Sequence, residues 1–123
     1  MTKIEQLSPL ALAFLGDAIH TAYVRKEVLS GQLNKPNNYH NLAKKFCNAK
    51  KQKETLDNLL EKLSEEEKEI VRKARNSKSK HTAKNFDEEI YKKATAFEAL
   101  VGWLFLTKQN ARLKEILALS MSE

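Results

Sequence analysis

Two acids stand in otherwise apolar, helix-patterned sequence. Asp17 lies within Ala11-Leu12-Ala13-Phe14-Leu15-Gly16-Asp17-Ala18-Ile19, and Glu98 within Ala94-Thr95-Ala96-Phe97-Glu98-Ala99-Leu100-Val101-Gly102-Trp103. Desolvating an unpaired carboxylate is so unfavourable that an acid in such company is expected to find a partner, a cap or a metal. Each acid also has small neighbours, Gly16 and Ala18 in one segment, Ala96 and Ala99 in the other. A glycine inside a helix costs about 1 kcal/mol against alanine, so Gly16 reads as a point of close helix approach. Two helices crossing at these small residues bring Asp17 and Glu98 together. Juxtaposed carboxylates with no cationic partner suit a hard divalent ion such as magnesium, which takes oxygen ligands and completes its shell with water and substrate phosphate. The chemistry this predicts is activation of a water for attack on a phosphodiester. The plainer alternative places each acid on a solvated helix stripe with no chemical role.

The cations are gathered as well. Lys and Arg number 22 against 16 Asp and Glu, a net charge of +6 with neutral histidines. From Lys35 to Lys53 there are six lysines (Lys35, Lys44, Lys45, Lys50, Lys51, Lys53) and no acid. From Arg72 to Lys84 there are six more cations (Arg72, Lys73, Arg75, Lys78, Lys80, Lys84), again without an acid. Two acid-free blocks separated by the acidic stretch Glu61 to Glu69 are the footprint expected for a polyanion such as a nucleic acid. Two solvated lysine-rich helix faces are the competing explanation.

The elements that must position these groups read as helices throughout, because apolar residues recur at three and four and no run alternates for long at period two. Ser8-Pro9 is an N-cap followed by proline at the first helical position. The helix it opens carries Leu12, Leu15, Ile19, Ala22 and Tyr23 on one face and stops near Ser30-Gly31. Lys35-Pro36-Asn37-Asn38 reads as a turn, with an asparagine capping a short helix around Leu42 and Phe46. Asn48 starts a helix with the stripe Leu56, Leu59, Leu60, Leu63. Ser64 and Glu67 form a capping box for a fourth helix, to about Arg75. Asn76 to Asn85 is polar and reads as a loop. Asp87 and Glu88 open what is expected to be the longest helix, through Trp103 to about Lys108. Asn110 is expected to cap a final helix holding Leu113, Ile116, Leu117 and Leu119. An all-α domain of at least five helices, spanning 1–123, is the expectation.

Composition narrows the class further. Hydrophobic residues at 41% and charged residues at 31% are the balance of a globular chain, and three glycines and two prolines exclude collagen-like and turn-dense β architectures. No apolar run approaches the roughly 20 residues of a membrane span, no secretory leader is visible, and a lone Cys47 can form no internal disulfide. A cytoplasmic protein is expected. Cys47 reads as a small core residue. His20, three residues after Asp17, either touches the site or, more in keeping with its apolar surroundings, serves the structure. Phe14, Phe97, Trp103 and Phe105 read as core or dimer contacts.

These residues carry a family resemblance. Leu12-Ala13-Phe14-Leu15-Gly16-Asp17-Ala18, Lys35-Pro36-Asn37, Arg75-Asn76-Ser77-Lys78-Ser79, Lys84-Asn85 with Asp87, and Thr95-Ala96-Phe97-Glu98-Ala99-Leu100, in that order, resemble the ribonuclease III family in its short branch, the mini-ribonucleases III. The resemblance runs from Leu10 to Leu117. It implies an all-α homodimer that cuts both strands of double-stranded RNA with magnesium, Asp17 and Glu98 being the catalytic, metal-associated acids. It also implies an RNA-contacting loop, so that Arg75, Asn76, Lys78, Lys80, Lys84 and Asn85 bind RNA, with Lys50 from the first basic block. Maturation of large-subunit (23S) precursor ribosomal RNA at its paired ends is the implied role. The larger enzymes carry an acid where this chain has Ala13 and an aspartate where it has Thr95, which leaves more of the metal's shell to water and RNA oxygens. After Ser120 only three residues remain, so no double-stranded RNA-binding domain is expected. A catalytically weak ribonuclease III-like RNA-binding subunit is the alternative, and a helical module for an acidic protein partner a third.

Overall fold

The computed structural model describes residues 3–31, 38–77 and 86–122. Lys35-Pro36-Asn37 and most of the expected loop, including Lys78, Lys80, His81, Lys84 and Asn85, lie outside the described residues. Among those described, every regular element is helical: α1 (Pro9–Gly31), α2 (Tyr39–Lys44), α3 (Ala49–Leu59), α4 (Glu65–Arg75), α5 (Phe86–Leu106) and α6 (Asn110–Leu119), with 3-10 turns at Ile4–Gln6 and Leu60–Lys62. No helix among these residues is long and apolar enough to cross a membrane.

Ser8 and Asn48 act as start signals as the sequence predicts. The Ser8 hydroxyl accepts from the Ala11 amide at 3.1 Å, closing the first turn of α1. Asn48 links two helices: its side-chain oxygen accepts from Lys51 N at 2.8 Å while its amide nitrogen donates to the Lys44 carbonyl at 2.7 Å. Asn38 occupies the N-cap of α2 but makes no side-chain capping bond. Two expectations need correction. At 23 residues α1 is longer than α5 at 21. Lys108, in the left-handed region at φ 59, stops α5, and Gln109 takes the N-cap of α6, so Asn110 is already helical.

Helix α5 is the axis of the domain, with α1, α3, α4 and α6 packed around it. Its middle is apolar apart from Thr95 and Glu98, and Ala96, Phe97, Ala99, Leu100, Val101 and Leu104 are completely buried. Against it α1 turns Leu12, Ala13, Gly16, His20, Val24 and Val28 inward. This face is rotated from the expected one: Leu15, Ile19 and Tyr23 are only half-buried and Ala22 is exposed. The rotation follows from Gly16, whose missing side chain lets α5 come closest there, and from His20, whose polar atoms find partners inside. A smaller cluster of Val24, Val28 and Ala43 joins the end of α1 to α2.

The far end of the domain is held by one ion pair. The Ser64–Glu67 capping box forms as expected, with Ser64 N donating to Glu67 Oε1 at 2.9 Å and Glu67 N donating to Ser64 Oγ at 3.1 Å. Arg112 of α6 grips the same carboxylate with Nε and Nη2, both at 2.9 Å, and donates to the Lys62 carbonyl. Burial alone would raise the Glu67 pKa, but the bonds from Arg112 and Ser64 outweigh it and hold the carboxyl below its usual range. A depressed carboxylate stabilises the fold above its unfolded pKa, and that contribution is lost as pH falls through the lower folded value. Arg112→Met leaves a buried charge unpaired and is expected to cost about 3 kcal/mol. Glu67→Gln added to Arg112→Met should recover a large part of the loss, since it removes the orphaned charge. Urea melts of the three proteins check this.

Candidate active site

The site begins where α1 and α5 touch backbone to backbone. A Cβ built on Gly16 would lie 1.7 Å from the carbonyl oxygen of Glu98, and one on Gly102 would lie 2.1 Å from that of Leu12. The two helices run antiparallel through this crossing, and each glycine makes room for the other helix. Asp17 follows Gly16 and Glu98 is the residue whose carbonyl faces it, so the crossing sets the two carboxyl groups side by side, within hydrogen-bonding reach. The sequence expectation that both acids are buried holds only in part. Asp17 is exposed at the mouth, because the α1 face that enters the core is that of Gly16 and His20, while Glu98 is half-buried beneath it.

Burial first, and then the hydrogen bond and charge of Asp17, push the Glu98 carboxyl up to about 8, and a hydrogen bond from Gln52 opposes the shift. Near neutral pH, without a cation, Glu98 therefore keeps its proton. Gln52 Nε2 is 3.4 Å from Glu98 Oε2. Ala13 is buried and Thr95 half-buried, so no third acid joins the pair from those positions. Among the described residues no group of three or more His, Cys, Asp or Glu side chains is placed to hold a metal.

Other expected residues fall where their chemistry allows. His20 is buried at 1% exposure, and desolvation pushes its pKa down to about 4 against the charge of Asp17. It is a neutral interior group, hydrogen-bonded to Ser120 at 3.1 Å and Gln52 at 3.2 Å, with its ring edge-on to Phe97. Cys47 is half-buried, and burial raises its thiol pKa, which suits the packing role and not a reactive thiol. Lys50 is exposed in the first turn of α3, and Asn76 is exposed at the end of α4. Arg75 donates to Glu89 at 2.8 Å, and Arg72 lies against Glu69 at 2.7 Å, so both arginines of the second block have acidic partners within the chain.

Gln52 is the residue that sequence reasoning missed. It lies four residues before Leu56 on the buried stripe of α3, and a polar group at a core position was the available signal.

The Ribonuclease III domain family matches residues 10–109. That span contains both acids and both glycines of the crossing. The chain belongs to the ribonuclease III family. Within it the chain is 47% identical over 116 residues to the mini-ribonuclease 3 of Thermoanaerobacter sp., covering 94% of this chain and 81% of that protein. To the mini-ribonuclease 3 of Staphylococcus aureus it is 41% identical over 116 residues, covering 93% and 87%. A crystal structure of a Fusobacterium nucleatum protein is 35% identical and superposes with a TM-score of 0.82, covering 96% of this chain and 94% of that one. Mini-ribonuclease 3 relatives matched over most of the chain place it in the short, mini-ribonuclease III branch, and the ribonuclease III family assignment makes it an endoribonuclease.

Proposed function

We propose that residues 1–123 act as one catalytic domain, a cytoplasmic, magnesium-dependent homodimer that cuts double-stranded RNA, its substrate being the paired ends of precursor 23S ribosomal RNA. The observation that carries this reading is the Asp17–Glu98 pair at the Gly16–Gly102 crossing. Two carboxyl groups held together with no Lys or Arg among the described residues hydrogen-bonded to either, one of them open to solvent, fit a hard cation that keeps several waters. Asp17 and Glu98 would hold it. When bound, such an ion supplies a lowered pKa for the attacking water and neutralises charge developing on the phosphodiester. The chain's own part is to keep the two carboxyl groups together through a rigid backbone crossing, with Asp17 reachable by a phosphate. The test of substrate is incubation with a duplex carrying the paired ends of precursor 23S RNA. Cuts within the stem on both strands support the reading, and random degradation contradicts it.

A homodimer fits the two-fold symmetry of a duplex, since two sites related by a two-fold axis can cut both strands. Phe14, one turn before Asp17, is 85% exposed, and Phe105 on α5 is 48% exposed. An aromatic side chain that bare on a well-packed helix is accounted for by burial against a second copy. Phe14→Glu is expected to give a folded monomer of 14.1 kDa in sedimentation, whereas the wild type runs at twice that mass. A wild-type monomer that still cuts both strands in one encounter would defeat the dimer.

RNA contact is assigned to Arg75, Asn76, Lys78, Lys80, Lys84 and Asn85, with Lys50 on α3. Lys50 is supported by its exposure, and Arg75 must exchange Glu89 for a phosphate. In an Asp17→Asn background, each lost phosphate contact should flatten log affinity against log salt by about one unit or slightly less. Binding of Arg75→Ala, Lys78→Ala, Lys84→Ala and Lys50→Ala variants across a salt series measures it. An unchanged slope when all four are combined would remove these residues from the interface.

A further inference from the structure

Gln52 points one amide nitrogen at two acceptors, His20 Nδ1 at 3.2 Å and Glu98 Oε2 at 3.4 Å. An amide can sit either way round and an imidazole can carry its proton on either nitrogen, so the neighbours decide both. The Ser120 hydroxyl donates to the Leu117 carbonyl at 2.6 Å, and a carbonyl can only accept. The Ser120 oxygen is then an acceptor for His20 Nε2 at 3.1 Å, which puts the imidazole proton on Nε2. Nδ1 is left as a bare lone pair needing a donor, and the group facing it is the Gln52 amide nitrogen. The second hydrogen of that nitrogen is the one directed at Glu98. Donor and acceptor roles are thus fixed in sequence from a backbone carbonyl of α6 to the acid on α5. His20, Gln52 and Ser120 are 1%, 6% and 0% exposed, so water does not compete for these bonds.

We propose that Gln52 is a positioning residue that holds the Glu98 carboxyl group facing Asp17, and that His20 with Ser120 fixes the direction of the Gln52 amide. The proposal rests on the reading of Asp17 and Glu98 as the cation-binding acids. A glutamate side chain has three rotatable bonds, and a second carboxylate beside it repels it when both are ionised. A lysine or arginine at position 52 would restrain it but would also neutralise the pair and compete with a metal. An uncharged amide donor restrains it while leaving the negative charge for the cation.

Gln52→Met keeps length and packing and removes the donor, and His20→Phe keeps a ring against Phe97 and frees the amide to turn. Gln52→Met is expected to lower kcat on a long RNA duplex by about 10- to 100-fold with KM little changed. Manganese binding by calorimetry, with no RNA present, should weaken by a similar factor, and His20→Phe should move both in the same direction by less. Nitrogen NMR of the metal-free wild type should show the neutral Nε2–H tautomer of His20, a readout that does not depend on any variant folding. Wild-type kcat and manganese affinity in Gln52→Met, or an Nδ1–H or charged His20 at neutral pH, would overturn the proposal. A wild-type protein that neither cuts duplex nor binds manganese would overturn the reading of the two acids along with it.

Discussion

Asp17→Asn and Glu98→Gln are each expected to lower duplex cleavage by about a thousandfold or more while leaving duplex binding near wild type. The size follows from losing a ligand to an ion that lowers the barrier by several kcal/mol, at about 1.4 kcal/mol per factor of ten. Both replacements keep the shape of the side chain, so the helix crossing beneath them is undisturbed and circular dichroism should be unchanged. The proposed metal requirement would carry a pH signature. Burial and the neighbouring Asp17 push Glu98 up to about 8, and a metal ligand must give up its proton. Magnesium affinity should therefore rise by about tenfold per pH unit up to about pH 8 and level off above it. Glu98→Gln should lose that dependence. If either variant turned over like wild type at saturating magnesium, its residue would not belong to the site.

The second large effect is in the backbone beneath the acids. A methyl group on Gly16 or Gly102 meets a carbonyl oxygen at 1.7 or 2.1 Å, and neither contact can be relieved by turning a side chain. The helices must move apart along the best-packed seam of the domain. Gly16→Ala and Gly102→Ala are each expected to destabilise by about 3 kcal/mol, the upper range for overpacking, despite a gain of about 1 kcal/mol in helix propensity. Gly31→Ala is the internal control, because a Cβ there meets nothing within 4 Å. Thermal melts decide it: equal midpoints for Gly31→Ala and Gly16→Ala would mean that the crossing is not under steric constraint.

The parts of this architecture legible in the sequence are those written in local spacing. Ser8-Pro9, Asn48 and Ser64 with Glu67 each announce a helix start within four residues, and each forms as written. Gly16 announces the close approach because glycine inside a helix needs a reason. What spacing does not carry is the rotation of a helix about its axis. The apolar count on α1 favours Leu15, Ile19 and Ala22, yet the packed face is set by the glycine and by a histidine whose partners lie on α3 and α6. Asp17 is therefore at the surface and not inside. The charge blocks behave similarly. The Arg72–Glu69 pair is readable at three residues, whereas Arg75–Glu89 and the bridge from Lys93 to Asp57 at 2.6 Å exist only once α5 has packed on α3 and α4. Gln52 stands on the buried stripe of α3, where a polar residue is a signal, but its partners on α1 and α5 are not written in the spacing.

The most direct measurement is cleavage of a long, end-labelled RNA duplex by the purified wild-type protein, in magnesium and in chelator, beside a single strand of the same sequence. A magnesium-dependent enzyme built around the Asp17–Glu98 pair cuts both strands of the duplex, leaves the single strand intact, and stops when the metal is removed. Cutting that persists in chelator, or that consumes the single strand at the same rate, would contradict it.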